Sequence, residues 1–360
     1  MAVRRSVLRS SRPRRRVVAL VAAAVALVVP SLVGATQAQA APSFSHYVAL
    51  GDSYTAGPFI PWPRFDPVGC GRSTNDYPKL LAGLLKVGSY TDVSCSGAQT
   101  SNMTQSQSVP LGSNGPQFDA LKADTDLVTL GIGGNDFNLF GSLIDTCSSL
   151  YRSDPNGSPC KDKYVVNGQN TLQPNIDRIG ERVAGVVAGI HQRSPHAEVL
   201  VVGYPHIVPA DKTCQDVLPF STGDYPFLDS VEQALNTAIA DAAGGGTATY
   251  VDTYAASAGH DACEGDRAWI NGQHLNLLAA APYHPFESGM VGSSAAAYAA
   301  LTGQPVTAST LAEADRLADA HRAQVRGTAG ADRARRLAAA WHLHQGQDVT
   351  GNAVRQVFTP

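Results

Sequence analysis

The chain has 360 residues, 44% hydrophobic and 16% charged, enough apolar material for one large domain with a sizeable core and an appendage. Its 27 Lys and Arg stand against 30 Asp and Glu, and seven of those cations (Arg4, Arg5, Arg9, Arg12, Arg14, Arg15 and Arg16) crowd the amino terminus. Without that segment 20 cations face 30 anions, a formal −10, which argues against nucleic acid or an anionic membrane surface as partner, since both call for clustered Lys and Arg.

The first element is a leader. The arginines precede an apolar run at residues 17–29, and Ala38-Gln39-Ala40 is a small-x-small cleavage site, so residues 1–40 read as a secretory signal that fits either Sec or twin-arginine export. Thirteen apolar residues are too few for a comfortable bilayer span, so no stable membrane anchor is expected. Six cysteines follow the leader: Cys70, Cys95, Cys147, Cys160, Cys214 and Cys263. An even count in an exported chain reads as three disulfides, and of fifteen possible pairings the sequential one (70 with 95, 147 with 160, 214 with 263) closes local loops and is expected. No CxxC pair or matched histidine spacing suggests a metal site, so neither metal nor cofactor is expected.

The mature part alternates strand and helix candidates. HYVALGD (46–52), YTDVSC (90–95), DLVTLGIGG (126–134), EVLVVGYP (198–205) and ATYVDTY (248–254) read as strands with little alternation, which suits burial on both faces. Helical spacing marks residues 78–86, 175–191 and 230–243, with Ile176, Ile179, Val183, Val186, Val187 and Ile190 on one apolar face and Gly244 ending the third. A last helix runs from about 287 to 301. The pattern predicts a three-layer α/β/α sandwich around a parallel sheet over residues 41–302. After Gly303 the composition shifts to Ala and Arg. Thr310 with Glu313 is a capping box for a helix to about 326, residues 331–344 form a second, and residues 303–360 are expected as a solvated helical extension with no part in chemistry.

In a parallel sheet, ligands sit at the carboxyl ends of the strands. Ser53 follows the first strand, Gly97 (in SCSGAQT) the second, and Asn135 (in GGND) the third, while PYHPFESGM places His284 before the last helix. Ser53 alone reads as a turn residue; with a neutral imidazole to take its proton and donors for an oxyanion it reads as a nucleophile. Asn135 equally suits a helix cap, a role compatible with oxyanion donation.

GDSYTAG, the glycine of SCSGA, GGND and a late HP, in this order, resemble the four blocks of the SGNH (GDSL) hydrolase superfamily. The resemblance covers about residues 44–301 and is especially similar to the secreted actinobacterial lipases and esterases, which also have three disulfides and a CGRS…YP segment, here Cys70 to Pro78. It implies a flavodoxin-like fold, a Ser53 nucleophile, a His284 base, and an oxyanion hole of the Ser53 backbone, Gly97 and Asn135, with Asp52 in a supporting turn. Members with a full triad carry Asp three residues before the histidine, where this chain has Ala281. Some secreted relatives use a main-chain carbonyl there, so the Ala281 carbonyl is expected to hold His284 Nδ1–H, with Asp252 the rival acid.

The expected activity is a secreted carboxylic-ester hydrolase acting as a monomer on a small-molecule or lipid ester. An acetylated-polysaccharide esterase, or a binding module whose site has decayed at Ala281, are the alternatives. The loop PFIPWPRFD (58–66) is a candidate acyl pocket, with Trp62 as probe, or a rigid loop packed on its disulfide-bound neighbour. His274 is the nearest competitor for base; the other histidines read as structural or solvated.

Overall fold

In the computed structural model, residues 42–325 and 329–347 are described, so the leader reading at 1–40 and the end of the extension lie outside the described residues. Strand β1 (His46–Gly51) leads through the one-turn helix α1 (Ser53–Ala56) and a long loop to α2 (Tyr77–Leu85) and β2 (Ser89–Asp92). A hairpin of β3 (Gln107–Val109) and β4 (Gly112–Asn114) precedes β5 (Leu127–Gly131), α3 (Leu139–Tyr151) and α4 (Pro159–Tyr164). A second small hairpin, β6 (Val165–Val166) and β7 (Gln169–Asn170), leads to α5 (Gln173–Arg193), β8 (Glu198–Val202), α6 (Tyr225–Ala243) and β9 (Thr249–Val251). Then come α7 (Thr253–Ala256), α8 (Glu287–Thr302), α9 (Ala308–Gln324) and α10 (Ala329–Ala340).

The main sheet is parallel throughout, in the order β2-β1-β5-β8-β9, with Tyr47 beside Leu127 and Leu127 beside Glu198. The chain leaves β1 toward one edge and returns past it to β5, so a crevice opens between the carboxyl ends of β1 and β5. Alternate residues serve alternate faces. Val48, Leu50, Val128, Leu130, Val199 and Val201 meet one layer, which includes Ile179 and Val183 of α5 and Leu235 and Ile239 of α6. Tyr47, Ala49, Leu127, Leu200 and Val202 meet the other, from α2, α8 and α9. Burial on both faces explains the near-continuous apolar runs.

The three disulfides join Cys70 to Cys95, Cys147 to Cys160 and Cys214 to Cys263, the sequential pairing.

The described part of the segment after Gly303 is mostly helical, but it is not the solvated tail expected. Ala314 and Ala318 of α9 are buried in the second core layer, and Leu317 lies so close to α2 that a Cβ on Gly83 would meet its Cδ1 at 2.7 Å. The small residues on α9 let the helices approach, and the exposed faces carry the Ala and Arg that gave the tail its solvated look. Helix α9 also starts earlier than the Thr310 box implies: Thr307 caps it by accepting the Thr310 N–H, and Glu313 pairs with Arg316 instead.

Candidate active site

The candidate nucleophile, Ser53, is placed by the end of β1. Gly51 exchanges two hydrogen bonds with the buried Gln117 amide, at 2.8 and 2.9 Å, and a Cβ there would sit 2.6 Å from the Gly131 carbonyl, so only glycine fits between β1 and β5. Asp52 caps α1 by accepting the Tyr54 N–H at 2.9 Å, which makes Ser53 the first helical residue. An N–H at that position has no intrahelical acceptor. Ser53 is 1% exposed, and its Oγ has no hydrogen-bond partner.

His284 reaches this point from the loop before α8. Its ring lies 5.0 Å from that of Tyr54, the residue after Ser53, and the Tyr54 hydroxyl donates to the Tyr283 carbonyl at 2.6 Å. The His284 Nδ1 is 2.6 Å from the Pro282 carbonyl. A carbonyl can only accept, so Nδ1 carries the hydrogen and Nε2 keeps its lone pair. This corrects the expectation at Ala281: its carbonyl accepts instead from the His284 main-chain N–H (3.2 Å) and from the Asn271 amide (3.0 Å). The reason is the turn at Tyr283, whose φ of 61° folds the chain back between Pro282 and His284. Burial lowers the His284 pKa to about 4, against the raising effect of the Pro282 carbonyl. Asp252 is engaged elsewhere, exposed and capping α7 through the Ala255 N–H at 2.9 Å.

Gly97 and Asn135 occupy neighbouring loops. Gly97 has a φ of 76°, which glycine adopts without steric cost, and Ser96 before it donates twice to the Cys70 carbonyl, from N (3.0 Å) and Oγ (2.8 Å). One hydrogen of the Asn135 amide goes to the Ala98 carbonyl at 3.0 Å, and the NH₂ group carries a second. Asp136 ties the same loops together, accepting from Thr100 N (2.9 Å), Thr100 Oγ1 (2.5 Å) and Arg182 Nη1 (2.7 Å). Ser53, Gly97 and Asn135 thus follow three adjacent strands of the sheet, with Ser53 and Asn135 on either side of the β1/β5 crevice.

Sequence reasoning missed Tyr204. Its hydroxyl donates to Asp52 Oδ2 at 2.5 Å and accepts from the Gly134 N–H at 2.7 Å, joining the Ser53 turn to the loop that carries Asn135. The available signal was position, since Tyr204 ends the apolar run of β8 as Ser53 ends that of β1. Burial raises the Asp52 pKa to about 7, with the Tyr204 hydrogen bond opposing it.

The acyl-pocket expectation for Trp62 is corrected too. The Trp62 indole N–H donates to the Arg322 carbonyl of α9 at 3.1 Å, and its ring lies against Gly330 of α10, so it packs on the C-terminal helices. Tyr54 instead borders an apolar pocket. A small cavity of about 50 Å³ is lined by Tyr54, Phe140, Leu143, Val231 and Tyr283 among others. Glu232 also borders it; burial pushes its carboxyl well above the ordinary range, and the carboxyl accepts the Ile207 N–H. His206 lies 3.3 Å from Asp229, His260 stacks on Trp269, and His274 is exposed. Among the described residues no His, Cys, Asp and Glu cluster could hold a metal ion, and no helix is long and apolar enough to cross a membrane.

Residues 49–290 match the GDSL-like Lipase/Acylhydrolase family. Lipase 2 of Streptomyces coelicolor is 41% identical over 259 residues, 69% of this chain and 84% of that protein. Among solved structures, phospholipase A1 from Streptomyces albidoflavus NA297 superposes with a TM-score of 0.59 at 28% identity, over 70% of this chain and 96% of that one. The extracellular lipase from Streptomyces rimosus gives 0.59 at 26% identity, over 71% and 99%.

Proposed function

The chain belongs to the GDSL-like lipase/acylhydrolase family and is a carboxylic-ester hydrolase, and on that premise we propose that it cleaves acyl esters through a Ser53 acyl-enzyme with His284 as base. His284 Nε2 takes the Ser53 proton as Oγ attacks the ester carbonyl. The developing oxyanion is held by the N–H groups of Ser53 and Gly97 and by the second Asn135 amide hydrogen. His284 then gives the proton to the leaving alkoxide; in deacylation it takes one from the water that attacks the acyl carbon and returns it to Ser53 Oγ as the acid is released. The Pro282 carbonyl keeps the imidazole in the tautomer this needs, without the full negative charge that a triad acid would offer the imidazolium. Each step uses this chain's own groups and water.

The observation that carries the reading is Ser53 Oγ itself, a buried hydroxyl with no hydrogen-bond partner, on the residue before Tyr54, whose ring lies 5.0 Å from that of His284. The large majority of buried hydroxyls are hydrogen-bonded, so one left unpaired calls for a role. The substrate's acyl chain enters the cavity behind Tyr54 and Phe140, where lipid-type chains find apolar walls. The enzyme acts outside the cell, a reading supported by the leader at 1–40 and three disulfides.

A kcat/KM series on p-nitrophenyl acetate, butyrate, octanoate and palmitate, with Ser53→Ala as control, tests this. The small cavity predicts butyrate and octanoate above acetate and palmitate, with all activity lost in the control. Activity confined to acetate would move the substrate to acetylated glycans, and activity surviving in Ser53→Ala would refute the acyl-enzyme.

A further inference from the structure

Residues beyond 290 lie outside the family match, yet the seven residues after α10 pair with the loop before His284 and pack on residues 59–71, which are tied to the Gly97 loop. Trp341 is 1% exposed and donates its indole N–H to the Gly69 carbonyl at 3.1 Å. Its ring meets Phe59 edge-on at 5.5 Å and lies within 3.1 Å of where a Cβ on Gly71 would be. Gly69 and Gly71 flank Cys70. That cysteine is bonded to Cys95, and its carbonyl takes both hydrogen bonds from Ser96, so what fixes residues 69–71 also fixes the turn at Gly97.

The same short segment then pairs with the base loop. Gly346 N–H donates to the Leu275 carbonyl at 2.9 Å, Leu275 N–H to the Gln347 carbonyl at 3.1 Å, and Leu277 N–H to Gln345 Oε1 at 2.9 Å. The loop is closed behind these contacts by the Asn276 and Ala280 bridge and by the Asn271 amide on the Ala280 and Ala281 carbonyls, three residues before His284. The loop after α1 also meets the base loop directly, where Ala281 N–H donates to the Pro58 carbonyl at 2.9 Å.

We propose that residues 341–347 are a strap that positions the Gly97 oxyanion loop relative to the His284 base loop, with Trp341 as its anchor and a positioning residue for acyl transfer. The inference rests on the Ser53 and His284 mechanism proposed above. Loops are the mobile parts of a fold, and acyl transfer tolerates little displacement: about 1 Å of misplacement costs on the order of 100-fold in rate. The strap supplies a wedge at one loop and main-chain pairing at the other, so loosening it degrades geometry in the transition state before it degrades binding.

The test uses the full mature chain and steady-state kinetics on p-nitrophenyl butyrate, with thermal melts and near-ultraviolet circular dichroism to show that each variant is folded at the assay temperature. Trp341→Ala is expected to lower kcat roughly 30-fold with KM within about threefold. Trp341→Phe keeps the ring on Phe59 without the N–H donor and should recover most of that loss. A folded Trp341→Ala with kcat within twofold of the parent, or a loss confined to KM, overturns the proposal. Should Trp341→Ala fail to fold, Gln345→Ala decides, since it removes only the acceptor of the Leu277 N–H: lower kcat at unchanged KM supports the strap, and unchanged kcat overturns it. Ser53→Ala runs alongside. If it stays active the catalytic mechanism has failed, whereas a dead Ser53→Ala beside unaffected strap variants refutes the strap alone.

Discussion

Asn135→Ala separates chemistry from binding more cleanly than any other single change. Asn135 is 2% exposed, and its amide is asked to do two things: hold the Ala98 carbonyl at 3.0 Å and give its second hydrogen to the oxyanion. Loss of one preorganised oxyanion donor costs about 3–4 kcal/mol of transition-state stabilisation, a fall in kcat on the order of 10²- to 10³-fold. The substrate carbonyl carries little charge before attack, so KM should stay within about threefold. The orphaned Ala98 carbonyl sits in the Gly97 loop and costs a further 1–3 kcal/mol, approximately, in folding stability. Burst and steady-state phases on p-nitrophenyl butyrate, with urea unfolding of the same preparation, read both effects. A fall of less than tenfold in kcat, or a loss appearing in KM, would refute the assignment of Asn135 as donor and return it to a loop tie.

Three further outcomes follow from the site. Because burial lowers the His284 pKa to about 4, the base is neutral above that value, so kcat/KM should fall only below about pH 4–5; an acid limb near 6.5 would show a solvated imidazole. Asp52 has the opposite sign. Its folded pKa of about 7 lies above the unfolded 3.8, so the native state holds the extra proton and stability falls as pH rises from about 4 to 7, by roughly 4 kcal/mol for a shift of about three units. Asp52→Asn should therefore gain on the parent between pH 4 and pH 8 in urea unfolding, and parallel pH dependences would contradict the buried carboxyl. Val231→Ala enlarges the cavity behind Tyr54 and should raise the octanoate to butyrate ratio of kcat/KM about fivefold, whereas an unchanged ratio would place the acyl chain elsewhere.

Much of the site was legible because the chemistry demands particular residue types at the carboxyl ends of apolar runs. Ser53, Gly97 and Asn135 each stand just beyond such a run, and His284 stands ahead of the last helix of the sandwich. The carbonyl that supports His284 was not legible, since the choice of Pro282 over Ala281 turns on one left-handed residue, Tyr283. Helix α3 is legible only as the helix that Asn135 would cap, without bounds, because its apolar positions are interrupted by Gly141, Ser142 and Ser148, and the Cys147 disulfide supplies part of its anchoring. The C-terminal helices misled for a different reason. Their buried faces are mostly small residues, which composition counts as tail-like, with few large anchors: Leu317 and Leu337 within the helices, and Trp341 and Leu343 after the last helical turn. For Trp62 the sequence offers a pocket wall or a rigid loop packed on the Cys70 disulfide, and neither names its real partners, α9 and α10, because those helices read as solvated.

Acylation of Ser53 is tested most directly by trapping it. The mature chain would be treated with a p-nitrophenyl alkylphosphonate, digested, and the mass increment mapped by tandem mass spectrometry against the time course of inactivation. The mechanism predicts one phosphonyl group per chain, on Ser53, gained as activity is lost, absent in Ser53→Ala and slowed in His284→Ala. An increment on another residue, or full inactivation with Ser53 unmodified, would contradict it.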